Sequence, residues 1–147
     1  MNVLVRLARP EDLPALLVLY RQLHPDDPDV DLTLSKAVFD GILASPHFEL
    51  FVAEADGVVA ATCYLNVIPN LSRKLAPYAV LENVVTDQAL RNQGIGKAIV
   101  GHALHLAWQR GCYKVMLLTG SRKESTHQFY RACGFLADEK FAFVAKP

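Results

Sequence analysis

Apolar positions along this chain change their spacing several times, and each change marks an element. Residues 3–8 (VLVRLA) form a short apolar run of strand type. Pro10-Glu11-Asp12 then puts a proline at a helix start with acids in the first turn, which predicts a helix over residues 10–23. Residues 24–31 (HPDDPDVD) are crowded with proline and aspartate and cannot propagate a helix; they read as an exposed acidic loop before a second helix over residues 33–44. Two β-type runs follow, residues 49–55 and 58–68, separated by Asp56-Gly57, a dipeptide that supplies the positive φ angles of a tight hairpin.

After the loop PNLSRKLAP, a third long β-type run covers residues 78–86, and a helix is expected from the glycine-containing segment RNQGIG to about residue 110. In that helix Ile95, Ile99, Ala103 and Leu106 are spaced to share one face, and Gly111 ends it. Residues 113–119 (YKVMLLT) predict a strand, residues 123–132 a short helix, and residues 135–144 a closing strand. Strands that first pair as a meander and then pass through helical crossovers predict an α/β fold, a mixed, mostly antiparallel central sheet flanked by helices. There is no internal repeat or linker, so residues 1–147 are expected to form a single domain.

A chain of 147 residues is long enough to bury roughly 68% of its unfolded surface. Lys plus Arg and Asp plus Glu both number 15, which leaves no global charge to hold a nucleic acid or an acidic membrane. Cys63, Cys112 and Cys133 are odd in number, widely spaced and without a CxxC pattern, against both a disulfide scaffold and a zinc site. Reduced thiols in the cytoplasm are the expectation. No apolar run reaches about 18 residues and the N-terminus lacks the pattern of an export signal, so a soluble protein is expected. The five histidines do not cluster with metal-ligand spacing, and no metal is expected.

RNQGIG, residues 91–96, stands where a strand ends and a helix begins. A helix N-terminus carries unpaired N–H groups and partial positive charge, and glycines let a phosphate approach that backbone closely. A turn packed for its own sake would use the same residues. Gly94 and Gly96 followed by Lys97-Ala98 match neither the dinucleotide fingerprint G-x-G-x-x-G nor the P-loop, which argues against hydride transfer and nucleotide hydrolysis.

Three segments together resemble the GCN5-related N-acetyltransferase superfamily: ENVVTDQALRNQGIGKAIV (82–100), GCYKVMLLTG (111–120) and HQFYRACGF (127–135). Their order and separation match that family's central strand, pyrophosphate-binding turn, following strand and terminal Phe-Tyr-x-x-x-Gly-Phe element. ARPEDLPALLVLY and the Asp-Gly hairpin extend the likeness over nearly the whole chain. Glu82 taken with GCYK and FYRACGF leans toward the glucosamine-6-phosphate branch.

The resemblance implies acetyl-coenzyme A as cosubstrate. The backbone of Arg91, Asn92, Gln93, Gly94, Ile95, Gly96 and Lys97 would bind its pyrophosphate, while Val84, Val85 and Thr86 would hydrogen-bond the pantetheine arm as an added strand would. Tyr130 is the implied proton donor to the departing thiolate, and a strand amide of Val84 or Val85 the implied oxyanion donor. Glu82, a carboxylate in an apolar strand, reads either as a base acting through water or as the partner of a cation. Relatives often place a coenzyme-binding asparagine before the last tyrosine; here that region reads SRKEST, and the contact is not carried over.

The acceptor implied is a small-molecule primary amine, acetylated directly in a ternary complex. Acetylation of a protein N-terminus or lysine, and a coenzyme-binding regulatory module without turnover, stay open as alternatives. Domains of this family often pair, which leaves a homodimer as an open expectation. Residues 24–31 and 71–78 are the loops expected to shape the acceptor pocket.

Overall fold

The Asp56-Gly57 hairpin forms as its dipeptide predicts. In the computed structural model, which describes all 147 residues, Asp56 and Gly57 take left-handed φ angles of 49° and 84°. They join β2 (Phe48–Ala55) to β3 (Val58–Ile68). β1 (Val3–Leu7) pairs antiparallel with β2, and β4 (Tyr78–Thr86) antiparallel with β3. The last strand, β5 (Val115–Met116), lies parallel to β4, so the sheet order follows the chain, β1-β2-β3-β4-β5. This is the mixed, mostly antiparallel sheet that the pattern predicts.

The helices are α1 (Leu13–Leu23), α2 (Leu32–Ala44), α3 (Ile95–Gln109) and α4 (Glu124–Ala132). The first begins later than expected because residues Pro10–Asp12 form a 3-10 turn. Asp12 fixes that turn: one carboxylate oxygen accepts from the backbone N–H of Arg9 (2.7 Å), and both accept from the guanidinium of Arg6 (2.7 and 2.9 Å). Arg6 also donates from Nε to Glu54 (2.8 Å), tying β1, β2 and the turn together. α2 starts at Leu32 because Asp31 caps it, accepting from the N–H of Leu34 at 2.8 Å.

The two faces of the sheet bury different helices. Leu16 of α1 and Phe39 of α2 pack on Leu50 and Val52. On the opposite face Ile95, Ile99, Val100, Ala103 and Ala107 of α3 pack on Phe51, Cys63, Leu65 and Leu81. Leu106, expected on that face, is only partly buried; Val100 and Ala107 are fully buried instead. Each fully buried Ile, Leu or Phe contributes about 1.5–3 kcal/mol, so this layer anchors α3 and with it the RNQGIG turn. No helix is long and apolar enough to cross a membrane.

Two expected strands differ. Pairing of the predicted strand 113–119 is confined to Val115 and Met116, against Ala79 and Val80. Past that point β4 bulges, and the added twist of a bulge carries it away from its neighbour. The closing strand predicted over residues 135–144 does not form: Phe141 and Phe143 are each 93% exposed. The charged run Asp138-Glu139-Lys140 interrupts the apolar residues there, and a two-residue β5 offers too short an edge to template a strand.

Candidate active site

β4 carries the irregularity on which the site is built. Thr62 pairs with Val85 and Tyr64 with Glu82, so the single residue Cys63 of β3 faces both Asn83 and Val84. Asn83 absorbs the extra residue at a left-handed φ of 52°, a conformation that Asn tolerates better than most side chains. A bulge of this kind leaves main-chain groups out of the ladder and re-aims them. It lies where β4 and β5 have parted, so the edge of β4 from Glu82 to Thr86 faces an open cleft.

Sequence-predicted residues fall on both sides of that cleft. Val85 is 5% exposed and belongs to the core, while Val84 and Thr86 are half-buried. Glu82 is exposed at the bulge, and no cationic side chain lies within ion-pairing distance of it.

At the end of β4 the chain turns through Asp87 and a 3-10 turn (Gln88–Leu90) into RNQGIG. Asn92 and Gly94 both have left-handed φ, 62° and 85°, and Gly94 is the N-cap residue of α3. A β-carbon on Gly94 would meet nothing within 4 Å, so that backbone borders open space. No side chain caps α3 and its first turn holds no acid, which leaves the amides there free to take an anion. Arg91 folds back, its Nε donating to the carbonyl of Thr86 at 3.2 Å. Ile95 is buried at 1% and fixes the first turn in the core.

Gly96 is required for a different reason. Its β-carbon would lie 3.1 Å from Thr86 Oγ1 and 3.3 Å from two ring atoms of Phe129. The absence of a side chain lets α4 close onto the start of α3 and the end of β4. That contact sets Tyr130, the next residue, beside the cleft.

The ring of Tyr130 packs edge-on against Phe129 and Phe135, at centroid distances of 5.1 and 6.0 Å. Burial raises its pKa above the ordinary phenol value, and the nearby Cys133, Cys63 and Glu82 act in the same direction. The phenol therefore stays protonated through neutral pH and is able to donate. Burial likewise pushes the Cys63 thiol up to about 12, so Cys63 behaves as a small core hydrophobe.

One element of the site carries no sequence signal. Gln22, near the end of α1, donates to Asp87 Oδ2 (3.1 Å) and accepts from the backbone N–H of Gln88 (2.9 Å). Asp87 also accepts from the N–H of Ala89 at 2.8 Å. The helix that leads into the acidic loop is thereby latched to the turn that precedes RNQGIG. The contact spans 65 residues in sequence, and a glutamine near a helix end looks like any solvated residue until the fold brings it there.

The chain is similar to known proteins in sequence and fold. The profile of the acetyltransferase (GNAT) family matches residues 15–135. Among curated relatives, the chain is 32% identical over 128 residues to glucosamine 6-phosphate N-acetyltransferase 1 of Oryza sativa subsp. japonica, covering 82% of this chain and 72% of that one. The match to the enzyme of the same type from Trypanosoma brucei brucei, 29% identical, covers 63% of this chain and spans 60% of that protein's length. It is 28% identical over 144 residues to aminoglycoside N(6')-acetyltransferase type 1 of Serratia marcescens, covering 92% and 93%. A solved structure from Agrobacterium tumefaciens str. C58, designated a candidate acetyltransferase, superposes with a TM-score of 0.92 at 43% identity, covering 97% and 99%. The chain belongs to the acetyltransferase (GNAT) family and is by that membership an acetyl-coenzyme A-dependent N-acetyltransferase.

Proposed function

We propose that this protein transfers the acetyl group of acetyl-coenzyme A directly to a primary amine of a small molecule, within a ternary complex at the cleft between β4 and β5. The observation that carries this reading is the convergence of three features on one cleft: the bulged edge of β4, the uncapped start of α3 and the phenol of Tyr130. The amides from Arg91 to Lys97 receive the pyrophosphate of the cosubstrate, and the free edge from Val84 to Thr86 takes its pantetheine arm as an added strand.

In the chemical step the neutral amine attacks the thioester carbonyl and forms the new C–N bond. Negative charge collects on the carbonyl oxygen, where an amide of the bulge, that of Val84 or Val85, stabilises it. Collapse breaks the C–S bond, and the thiolate takes its proton from Tyr130. The amine's surplus proton leaves through water to Glu82, which sits exposed at the bulge. Relatives with small-molecule acceptors, an amino-sugar phosphate in one group and aminoglycosides in another, support the acceptor class.

Tyr130→Phe tests the assignment while keeping the ring packing. In a free-thiol assay with a panel of primary amines, kcat is expected to fall by about 10²-fold. The wild-type rate should also decline at alkaline pH as the phenol ionises, at a pH displaced above its ordinary value by burial, and Tyr130→Phe should lack that limb. Unchanged kcat in the variant, or an identical alkaline limb, would remove Tyr130 from the mechanism.

A further inference from the structure

On β4, Ala79 and Leu81 are buried against α3, whereas Tyr78, Val80 and Glu82, which alternate with them, look to the other face and stay partly open. The residues of β5 paired next to them continue this open strip, because neighbours in a parallel pair share a face. Val115 pairs with Ala79 and Met116 with Val80, which sets Lys114 beside Tyr78. The strip runs from the bulge at Glu82 to Tyr78, four residues or roughly 13 Å along the strand.

At its far end stands a cluster that the reaction does not use. Lys114 Nζ lies 5.4 Å from the ring centroid of Tyr78 and 5.3 Å from that of Tyr113, held where the two rings meet edge-on. The guanidinium carbon of Arg73 lies 5.6 Å from the Tyr113 ring. Neither cation has a carboxylate within ion-pairing distance. Aromatic faces hold cations in place without neutralising them, so two unpaired positive charges are fixed here in a protein whose charges balance overall, 15 against 15.

The loop that presents Arg73 is itself under strain. Arg73, Lys74 and Leu75 have successive φ angles of 53°, 57° and 65°, all left-handed and none a glycine. The side chain of Asn70 pins the segment, donating to the carbonyls of Ser72 (3.2 Å) and Ala76 (3.3 Å). Strain of this kind persists where the surroundings over-determine it, and it gathers at ligand clamps.

We infer that Arg73 and Lys114 form a subsite for an anionic group of the acceptor, so that the substrate is an amine carrying a phosphate or carboxylate rather than a polycation. This rests on the acetyl transfer proposed above for the identity of the ligand, though not for the existence of the subsite. The amine lies at the bulge beside Glu82 and the anion at the aromatic-bound cations, with the strip of β4 between them.

Two measurements decide it. With coenzyme A saturating, so that its own phosphate site is filled, inorganic phosphate is titrated and followed in amide spectra. Shifts are expected at residues 73–78 and 113–114, with affinity at least tenfold weaker in Arg73→Gln, an exposed substitution that leaves the fold intact, and in Lys114→Gln. No shift there, or shifts that survive both substitutions, would overturn the subsite. In the second, glucosamine and glucosamine 6-phosphate serve as acceptors that differ only in the phosphate. The phosphorylated amine should have at least tenfold higher kcat/KM, an advantage that Arg73→Gln abolishes. Equal rates on the pair, or preference for an aminoglycoside, would refute the inference. Failure of every amine to release thiol would instead refute the proposed function, while the phosphate titration would still decide the subsite.

Discussion

Gly96→Ala asks whether the glycine is needed for packing or for ligand approach. Its φ is not left-handed, so alanine meets no backbone strain and, as the better helix former, gains about 0.5–1 kcal/mol. Against this, the new methyl would stand 3.1 Å from Thr86 Oγ1 and 3.3 Å from two atoms of the Phe129 ring, where carbon contacts normally settle at about 3.5–4.0 Å. Overpacking costs about 1–3 kcal/mol, and the half-buried ring of Phe129 can yield outward. The balance is a loss of about 1 kcal/mol, or roughly 4 °C in Tm.

Activity should suffer more than stability, because displacing Phe129 moves the neighbouring phenol of Tyr130; a fall in kcat on the order of tenfold is expected with acetyl-coenzyme A affinity little changed. Calorimetry and the free-thiol assay measure both effects. Repeating the substitution in a Phe129→Leu background supplies the control: with the ring gone, Gly96→Ala should cost clearly less, only the contact with Thr86 remaining. An unchanged or raised Tm with unaltered kcat, or the same loss in both backgrounds, would refute the packing argument.

Other perturbations follow from the same geometry. Arg6→Ala strands the carboxylates of Asp12 and Glu54 and should cost about 3 kcal/mol by urea unfolding. The hydrogen-bonded guanidinium of Arg6 holds Asp12 below the usual carboxylate range, so its contribution is complete above about pH 4 and is lost as pH falls through the folded-state value; Asp12→Asn should flatten that acid limb in unfolding followed from pH 7 to 3. Gln22→Leu removes both bonds of the latch to the coenzyme turn and should weaken acetyl-coenzyme A binding by roughly fivefold, about 1 kcal/mol, with hydrogen exchange rising across residues 24–31.

Local signals made much of this fold legible from the sequence. Asp56-Gly57 and its flanking alternation specify a hairpin through φ angles that few other dipeptides supply, and the spacing of Ile95, Ile99 and Ala103 specifies the buried face of α3. The glycine turn was readable as a helix start, but only the fold separates its two glycines, one bordering open space and the other a ring. Long-range effects stayed hidden. The bulge at Asn83 depends on register against β3, the latch of Gln22 on a contact across 65 residues, and the truncation of β5 on twist in its neighbour. Residues 135–144 are rich in the aromatic and apolar residues that strands favour, yet a strand also needs a partner edge, which no single segment encodes.

The central claim is that the start of α3 receives the pyrophosphate of acetyl-coenzyme A, and calorimetric titration of that cosubstrate tests it most directly. Gly94→Asp is the informative variant, with Gly94→Asn as its control: both side chains enter open space and both bear the strain of the left-handed φ of 85°, so the difference between them is a negative charge where the phosphates would sit. Micromolar binding to the wild type, weakened at least a hundredfold in a folded Gly94→Asp and clearly less in Gly94→Asn, is the predicted result. Absence of binding to the wild type, or equal binding to both variants, would contradict it.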